Sequence, residues 1–359
     1  MKPESAADAR ASASPAHRIL FVTAVLAAMV AAAGAGAQTD DTRPNWRVMW
    51  ANDAIFGSDN QFSNGFGAAK HSALAESLDE AGGTPAFGRW LARFFLPSRD
   101  GLYFREGWTV GHNLQTPDNI KVREINLDDV PYVSMIGWTN SHIAFDNRRF
   151  TGFQTLVGWV GDITLGEQIQ STAHKISNAN DPKGWDKQLD NEPLFNVYWM
   201  KKYKLFDSAF MDVTGNADIA AGNMFTFGQT ALEFRFGDRP DGFAYQVNTI
   251  GHNLDYDARI HAPGKSYLYT SVILRGSGVL HALPRDGNLI RNDNEWTDDN
   301  RLNAEEWIGQ AAFGLHYERA NWGLHANLFI SSSAVESPSG NNVADPNNNF
   351  AVLLFEWQF

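Results

Sequence analysis

His174 stands four residues after Gln170, and the pair is followed by Gly184-Trp185-Asp186 and Gln188-Leu189-Asp190-Asn191-Glu192. Earlier in the chain come Asn52-Asp53, Ser63-Asn64-Gly65, Thr116-Pro117 and Lys121. These residue types have the makings of a hydrolytic site. An imidazole titrates near neutrality and can take a proton from water. Asn and Asp offer the hard oxygen ligands calcium prefers, although two side chains fall short of its roughly six to eight. A lysine ammonium or a bound cation offsets charge growing on an oxyanion. Each also has a plainer reading. A loop histidine is commonly solvated, Asn-Asp at a strand end shapes turns, a strand-opening serine is often only a loop hydroxyl, and a lysine often meets solvent or phosphate. Only convergence in space would make them a site.

The two ends of the chain say what could bring them together. Residues 1–37 read as an export signal: Lys2, Arg10 and Arg18 precede an apolar run from Ile19 to Ala33, and Ala35-Gly36-Ala37 supplies a cleavage pattern before Gln38. At the other end Leu353, Phe355, Trp357 and Phe359 alternate up to the terminal aromatic, as in the closing strand of a bacterial outer-membrane barrel. The reading is an all-β, transmembrane, antiparallel up-and-down β-barrel spanning residues 38–359 in the bacterial outer membrane.

Composition agrees. The 359-residue chain has no cysteine, so no disulfide framework exists, and a closed ladder needs none. Its net charge of -12 argues against a nucleic-acid partner. Twelve Trp and 13% aromatics suit interfacial girdles better than one soluble core. Beyond the signal, no segment reaches the roughly 20 apolar residues of a membrane-spanning helix.

Period-2 alternation runs through the chain. Phe195, Val197 and Trp199 oppose Asn196, Tyr198 and Lys202; Leu232, Phe234 and Phe236 oppose Glu233 and Arg235. Phe313, Leu315 and Tyr317 oppose His316 and Glu318, while Trp322, Leu324, Ala326 and Leu328 oppose His325 and Asn327. Lipid outside and a polar lumen inside give that pattern. Twelve segments are expected, near 46–52, 62–71, 103–114, 131–144, 151–162, 193–204, 207–219, 223–237, 268–279, 307–319, 321–332 and 349–359. With both termini periplasmic, the polar residues named first gather on the outward rim. Two inward connections, 72–102 and 238–267, are long for periplasmic turns. The first carries an amphipathic stretch, Phe87 to Phe95, that would plug the lumen or lie on the inner leaflet.

In order and spacing the rim residues resemble the outer-membrane lipid A 3'-O-deacylases, mainly over residues 45–200. The resemblance rests on Asn52-Asp53, Ser63-Asn64-Gly65, Thr116-Pro117, Gln170 before His174, Gly184-Trp185-Asp186-Lys187-Gln188-Leu189 and Asn191-Glu192-Pro193. It implies a twelve-stranded barrel that hydrolyses the ester of the 3'-linked acyloxyacyl chain of lipid A in lipopolysaccharide, with a divalent cation, calcium (Ca2+). By position, His174 would be the general base, Asn52 and Asp53 would lie at the cation site, Ser63 would orient water or the oxyanion, and Lys121 would stabilise the oxyanion. Two departures stand out. The family's acid six residues after the base is Asn180 here, with Asp181 or Glu192 as substitutes. Val130-Pro131-Tyr132-Val133-Ser134 keeps only the Pro-Tyr of an Arg-Pro-Tyr-Ala-Gly run. Rival readings are a calcium-dependent outer-membrane phospholipase with a serine nucleophile, and a non-catalytic channel or adhesin. A monomer is expected.

Overall fold

In the computed structural model, residues 43–53, 61–177, 179–244, 254–291, 293–319, 321–336 and 349–358 are described. The export signal, its cleavage site and Phe359 lie outside them. Among the described residues no helix is long and apolar enough to cross a membrane. The crossing is made by twelve strands: β1 (Asn45–Asn52), β2 (Gln61–His71), β3 (Tyr103–Thr116), β4 (Val133–Phe145), β5 (Arg149–Val160) and β6 (Glu192–Asp207). They continue as β7 (Met211–Gly222), β8 (Phe225–Asp238), β9 (Ser266–Ala282), β10 (Trp307–Arg319), β11 (Trp322–Ser331) and β12 (Phe350–Gln358). Each pairs antiparallel with its sequence neighbours, and β12 pairs with β1, closing the barrel. Closure leaves no strand edge, so the ladder satisfies its own backbone groups in lipid.

All twelve expected segments are strands, with shifted ends. The largest shift is at β6–β7. Leu205 and Phe206 still belong to β6, and Ser208 makes the turn by bonding Met211 N and O. The Asp146 turn is as expected, its Oδ1 accepting from Arg148 N and Arg149 N at 2.7 Å each. The alternation also holds. Phe313 and Leu315 are exposed on the outer wall, whereas His316, Glu318, His325 and Asn327 are buried in the lumen.

The long inward connections separate into two roles. From connection 239–265, residues 254–260 return into the lumen and pack against the wall. Asp257 receives Arg47 at 2.5 Å, Arg105 at 2.7 Å and Arg259 at 2.8 Å, and Arg259 also reaches Glu318 at 2.9 Å and Glu356 at 2.6 Å. Tyr256 packs on Phe150, ring centres 4.7 Å apart. Residues 72–102, by contrast, do not fill the lumen. They carry α1 (Leu78–Ala81) and α2 (Ala86–Ala92) along the outside of the wall. Phe104, Ala144 and Phe153, which form a cluster with Leu78, Ala92 and Leu96, share the strand face of exposed Val110, Trp138 and Val157. The sequence left plug and inner-leaflet placements open, and α2 settles on the outer wall through Gly88 and Ala92.

Candidate active site at the outward rim

At the outward ends of β1–β4 polar residues stand on the outside of the wall. Asn52 ends β1 opposite Asn64 of β2, and Asn64 Oδ1 accepts from Trp50 Nε1 at 3.0 Å. Asp53 follows directly and is buried. Ser63 falls where the β2–β3 register shifts between Phe62 and Asn64, a bulge of the kind that re-aims a residue at a barrel rim. Thr116 ends β3, also buried.

The connection 161–191, expected as a loop, contains a three-turn helix, α3 (Gly166–Ser177), with Gln170 and His174 one turn apart and therefore on one face. A row of polar contacts fixes its start to the wall. His112 pairs across β3 with Phe66 and Ile136, both exposed, so it too faces outward. Its Nε2 lies 2.9 Å from Thr164 O and 3.2 Å from Ser134 Oγ, and Ser134 Oγ meets Thr164 Oγ1 at 2.5 Å. Gly166 must be glycine here, since a Cβ would come within 2.4 Å of Ser134. Further along, Trp185 Nε1 donates to Gln170 Oε1 at 2.7 Å, and Trp185 packs against Tyr132, ring centres 4.9 Å apart. Gln170 is buried, and its Nε2 has no hydrogen-bond partner among the described residues.

His174 is oriented within this element. Its Nδ1 lies 2.5 Å from the backbone carbonyl of Asn180. A carbonyl only accepts, so Nδ1 carries the hydrogen and the neutral ring keeps its lone pair on Nε2. The substitute acids fare differently. Glu192 is buried and committed elsewhere, accepting from Asn223 Nδ2 at 2.6 Å, Ile290 N at 3.0 Å and Arg291 N at 2.9 Å. It is not the partner of His174. Asp181 is exposed at the end of the same loop.

Lys121 is exposed in connection 117–132, and among the described residues its ammonium has no hydrogen-bond or ion-pair partner. Its loop is nonetheless held against the His174 loop. Ile120 O accepts from Lys183 N at 2.9 Å and from Tyr132 OH at 3.3 Å, and Arg123 pairs with Asp186 at 3.0 Å. Burial pushes Asp129, at the far end of this connection, up to about 6. The structure thus holds the loops of His174 and Lys121 against each other, and the entry to α3 against β3 and β4; Asn52, Asp53 and Ser63 lie at the outward ends of β1 and β2. The sequence reading missed His112, Ser134 and Thr164. Their signal was hidden because a histidine at a lipid-facing strand position looks like a break in alternation.

A second polar cluster lies far from the rim. Glu318, His325 and Glu356 bring ligand atoms within 4.8 Å of one another, an arrangement that could hold a metal. Arg259 already bridges both carboxylates, so the cluster is neutralised without one.

A closed twelve-stranded antiparallel barrel with an apolar outer wall and a polar lumen is an outer-membrane β-barrel protein. A profile for outer membrane protein LpxR matches residues 20–359. The chain belongs to this family, the outer-membrane lipid A 3'-O-deacylases, and is an ester hydrolase of the outer membrane. Among solved structures, LpxR from Salmonella typhimurium has a TM-score of 0.65 at 12% identity, covering 88% of this chain and all of that one. The β domain of the Bordetella autotransporter BrkA gives 0.41 at 7% identity over 90% of this chain and all of that one. The translocator domain of NalP from Neisseria meningitidis gives 0.39 at 8% identity, over 96% and 97%. No curated protein matches by sequence.

Proposed function

We propose that the chain removes the 3'-linked acyloxyacyl chain of lipid A at the outward rim, between α3 and the outer wall, with His174 as general base. The orientation of His174 carries this reading: Nδ1 bound to the Asn180 carbonyl presents Nε2 as the basic nitrogen. Nε2 would take a proton from water as the oxygen attacks the ester carbonyl, then return it to the leaving alkoxide. Lys121, exposed on the neighbouring loop, would offset the oxyanion, and Ser63 at the β2 bulge would orient water or that oxyanion. Asn52 and Asp53 suit a hard cation, because Asp53 is a buried carboxylate beside a second oxygen donor. Bound calcium would supply Lewis-acid polarisation of the ester.

The serine-nucleophile alternative finds weak support in the Ser134–His112 pair. His112 Nε2 faces the Thr164 carbonyl, so it carries a hydrogen and has no lone pair for the Ser134 proton. The test is mass spectrometry of lipid A incubated with purified protein, with chelator and with restored calcium. Loss of the 3' acyloxyacyl unit, abolished by chelator and by His174→Ala in folded protein, is expected. A fall of at least about a hundredfold for His174→Ala matches the lower end of acid–base catalysis. Release of phospholipid fatty acid with intact lipid A would overturn the reading.

A further inference from the structure

A lysine stands on the lipid-facing side of β6. The residues of that side run Val197, Trp199, Lys201, Tyr203 and Leu205, and Val197, Tyr203 and Leu205 are exposed. A cation within such an apolar band is costly unless a counter-charge meets it. The adjoining strands offer none. Thr151 and Ala217 pair directly with Lys201, while Phe153, Gly215 and Ile219 stand diagonal to it. The remaining diagonal neighbour is Arg149, a second cation within reach of a long side chain. Among the described residues neither Lys201 nor Arg149 has a carboxylate partner, and the Lys201 ammonium lies 4.8 Å from the centre of the Trp199 ring.

Both cations line a groove of about 960 Å³ on the outside of the wall. Arg99, near the end of connection 72–102, joins them, its charge shared with Asp146 at 2.6 Å. From this basic end the groove follows the ladder row Thr151, Lys201, Ala217, Thr230 and Gly276 across β5–β9. At the usual strand spacing that row is roughly 19 Å long, the reach of one extended acyl chain. Leu232 and Leu274, both exposed, flank its far half, and a Cβ on Gly276 would meet nothing within 4 Å. The row climbs as it goes. Thr151 lies beside the inward turn at Asp146, whereas Gly276 lies past the middle of β9. The basic end is therefore at the inward boundary of the wall and the far end is deeper in the bilayer. Tight turns at Asp146 and Ser208 close the strands on this inward side, as periplasmic turns do in outer-membrane barrels.

We propose that this groove holds one anionic glycerophospholipid of the periplasmic leaflet. Its phosphate meets Lys201 and Arg149, and one acyl chain lies over Ala217 and Thr230 toward Gly276. Three cations against the Asp146 carboxylate favour a headgroup of net negative charge over a zwitterion. The groove shares no residue with the rim where hydrolysis is proposed, and it stands or falls separately from that reading.

Native mass spectrometry of the barrel in mild detergent, titrated with phosphatidylglycerol or phosphatidylcholine, tests this. The wild type should retain one phosphatidylglycerol at least tenfold more strongly than phosphatidylcholine, a comparison that needs no variant. Lipid A should add beside that phosphatidylglycerol without displacing it. Arg149→Gln combined with Lys201→Gln should bring retention down to the phosphatidylcholine level, whereas Lys201→Arg should keep it. Ala217→Trp leaves every charge in place but fills the groove, and should also release the lipid. Folding of each variant is checked by heat-modifiable migration. No retained lipid, equal retention of the two headgroups, displacement by lipid A, or unchanged retention in the folded double variant or in folded Ala217→Trp would each overturn the proposal.

Discussion

The backbone carbonyl of Asn180 changes what that residue means. Read as a side chain, it is a lost carboxylate beside the proposed base. The structure shows its main chain performing one half of the missing role, fixing the imidazole tautomer through Nδ1. The other half, stabilising a protonated ring by charge, is not replaced by a neutral carbonyl. The two halves separate by substitution. Asn180→Ala keeps the carbonyl and should hold the deacylation rate within about threefold, far from the effect of removing an acid–base group. Asn180→Glu adds charge where the family has it, and should preserve or raise the rate while moving the base's apparent pKa upward in the pH–rate profile. If Asn180→Ala costs as much as His174→Ala, the side chain and not the carbonyl orients the base.

At the scale of elements, the helix carrying Gln170 and His174 works only if its entry is held to the wall. His112 is the pin, reaching Thr164 O and Ser134 Oγ from a lipid-facing position. His112→Ala should loosen residues 162–177 and lower turnover roughly tenfold, since misplacement by about an ångström can cost more. His112→Gln, whose amide can still donate to Thr164 O, should restore both hydrogen-exchange protection and rate. Rescue distinguishes the hydrogen bond from simple packing. The neighbouring loop has its own pH response. Asp129 is buried, accepts from Asp118 N at 3.0 Å and Val130 N at 2.7 Å, and its carboxyl is pushed from 3.8 up to about 6. A raised carboxyl favours the fold while protonated, so its contribution is full below 3.8 and is lost as pH rises through about 6. The displacement corresponds to roughly 3 kcal/mol. Exchange protection of the Asp118 and Val130 amides, corrected for intrinsic rates, should therefore fall between about pH 4 and 6 and level off above. Asp129→Asn should flatten that profile, and a flat wild-type profile would contradict it. Much of this architecture was legible in the sequence because alternation reports the wall directly: Phe195 against Asn196, Leu315 against His316. The connections were less legible. Whether residues 72–102 go inside or outside depends on Gly88 meeting Asn140 and His142, a long-range fit that local pattern does not encode. The candidate rim residues were named from type and order, but the pin was not, because its meaning lies in a partner on another element.

The whole molecule depends on a lumen closed by charge. Arg47, Arg105 and Arg259 meet Asp257, Glu318 and Glu356, all buried, with His261 Nε2 2.7 Å from Glu318. Three guanidiniums face three carboxylates, so this group is neutral as built. The balance also decides between a salt-bridge lock and a metal at Glu318, His325 and Glu356. Removing one member of a buried ion network leaves its partners unpaired and costs about 3–5 kcal/mol, whereas replacing the whole group by neutral residues can be nearly free. Arg259→Met should therefore lower the temperature of heat-modifiable unfolding and admit ion conductance in planar bilayers, because two carboxylates lose their bridge. Combining Arg259→Met with Glu318→Gln and Glu356→Gln should recover most of the loss by removing the uncompensated charges. If a metal held the cluster instead, chelator would reproduce the Arg259→Met phenotype in the wild type, and the combined variant would be worse than the single one. Chelator is expected to silence the outward rim and leave the lumen shut, which assigns the two polar clusters to two separate tasks in one barrel.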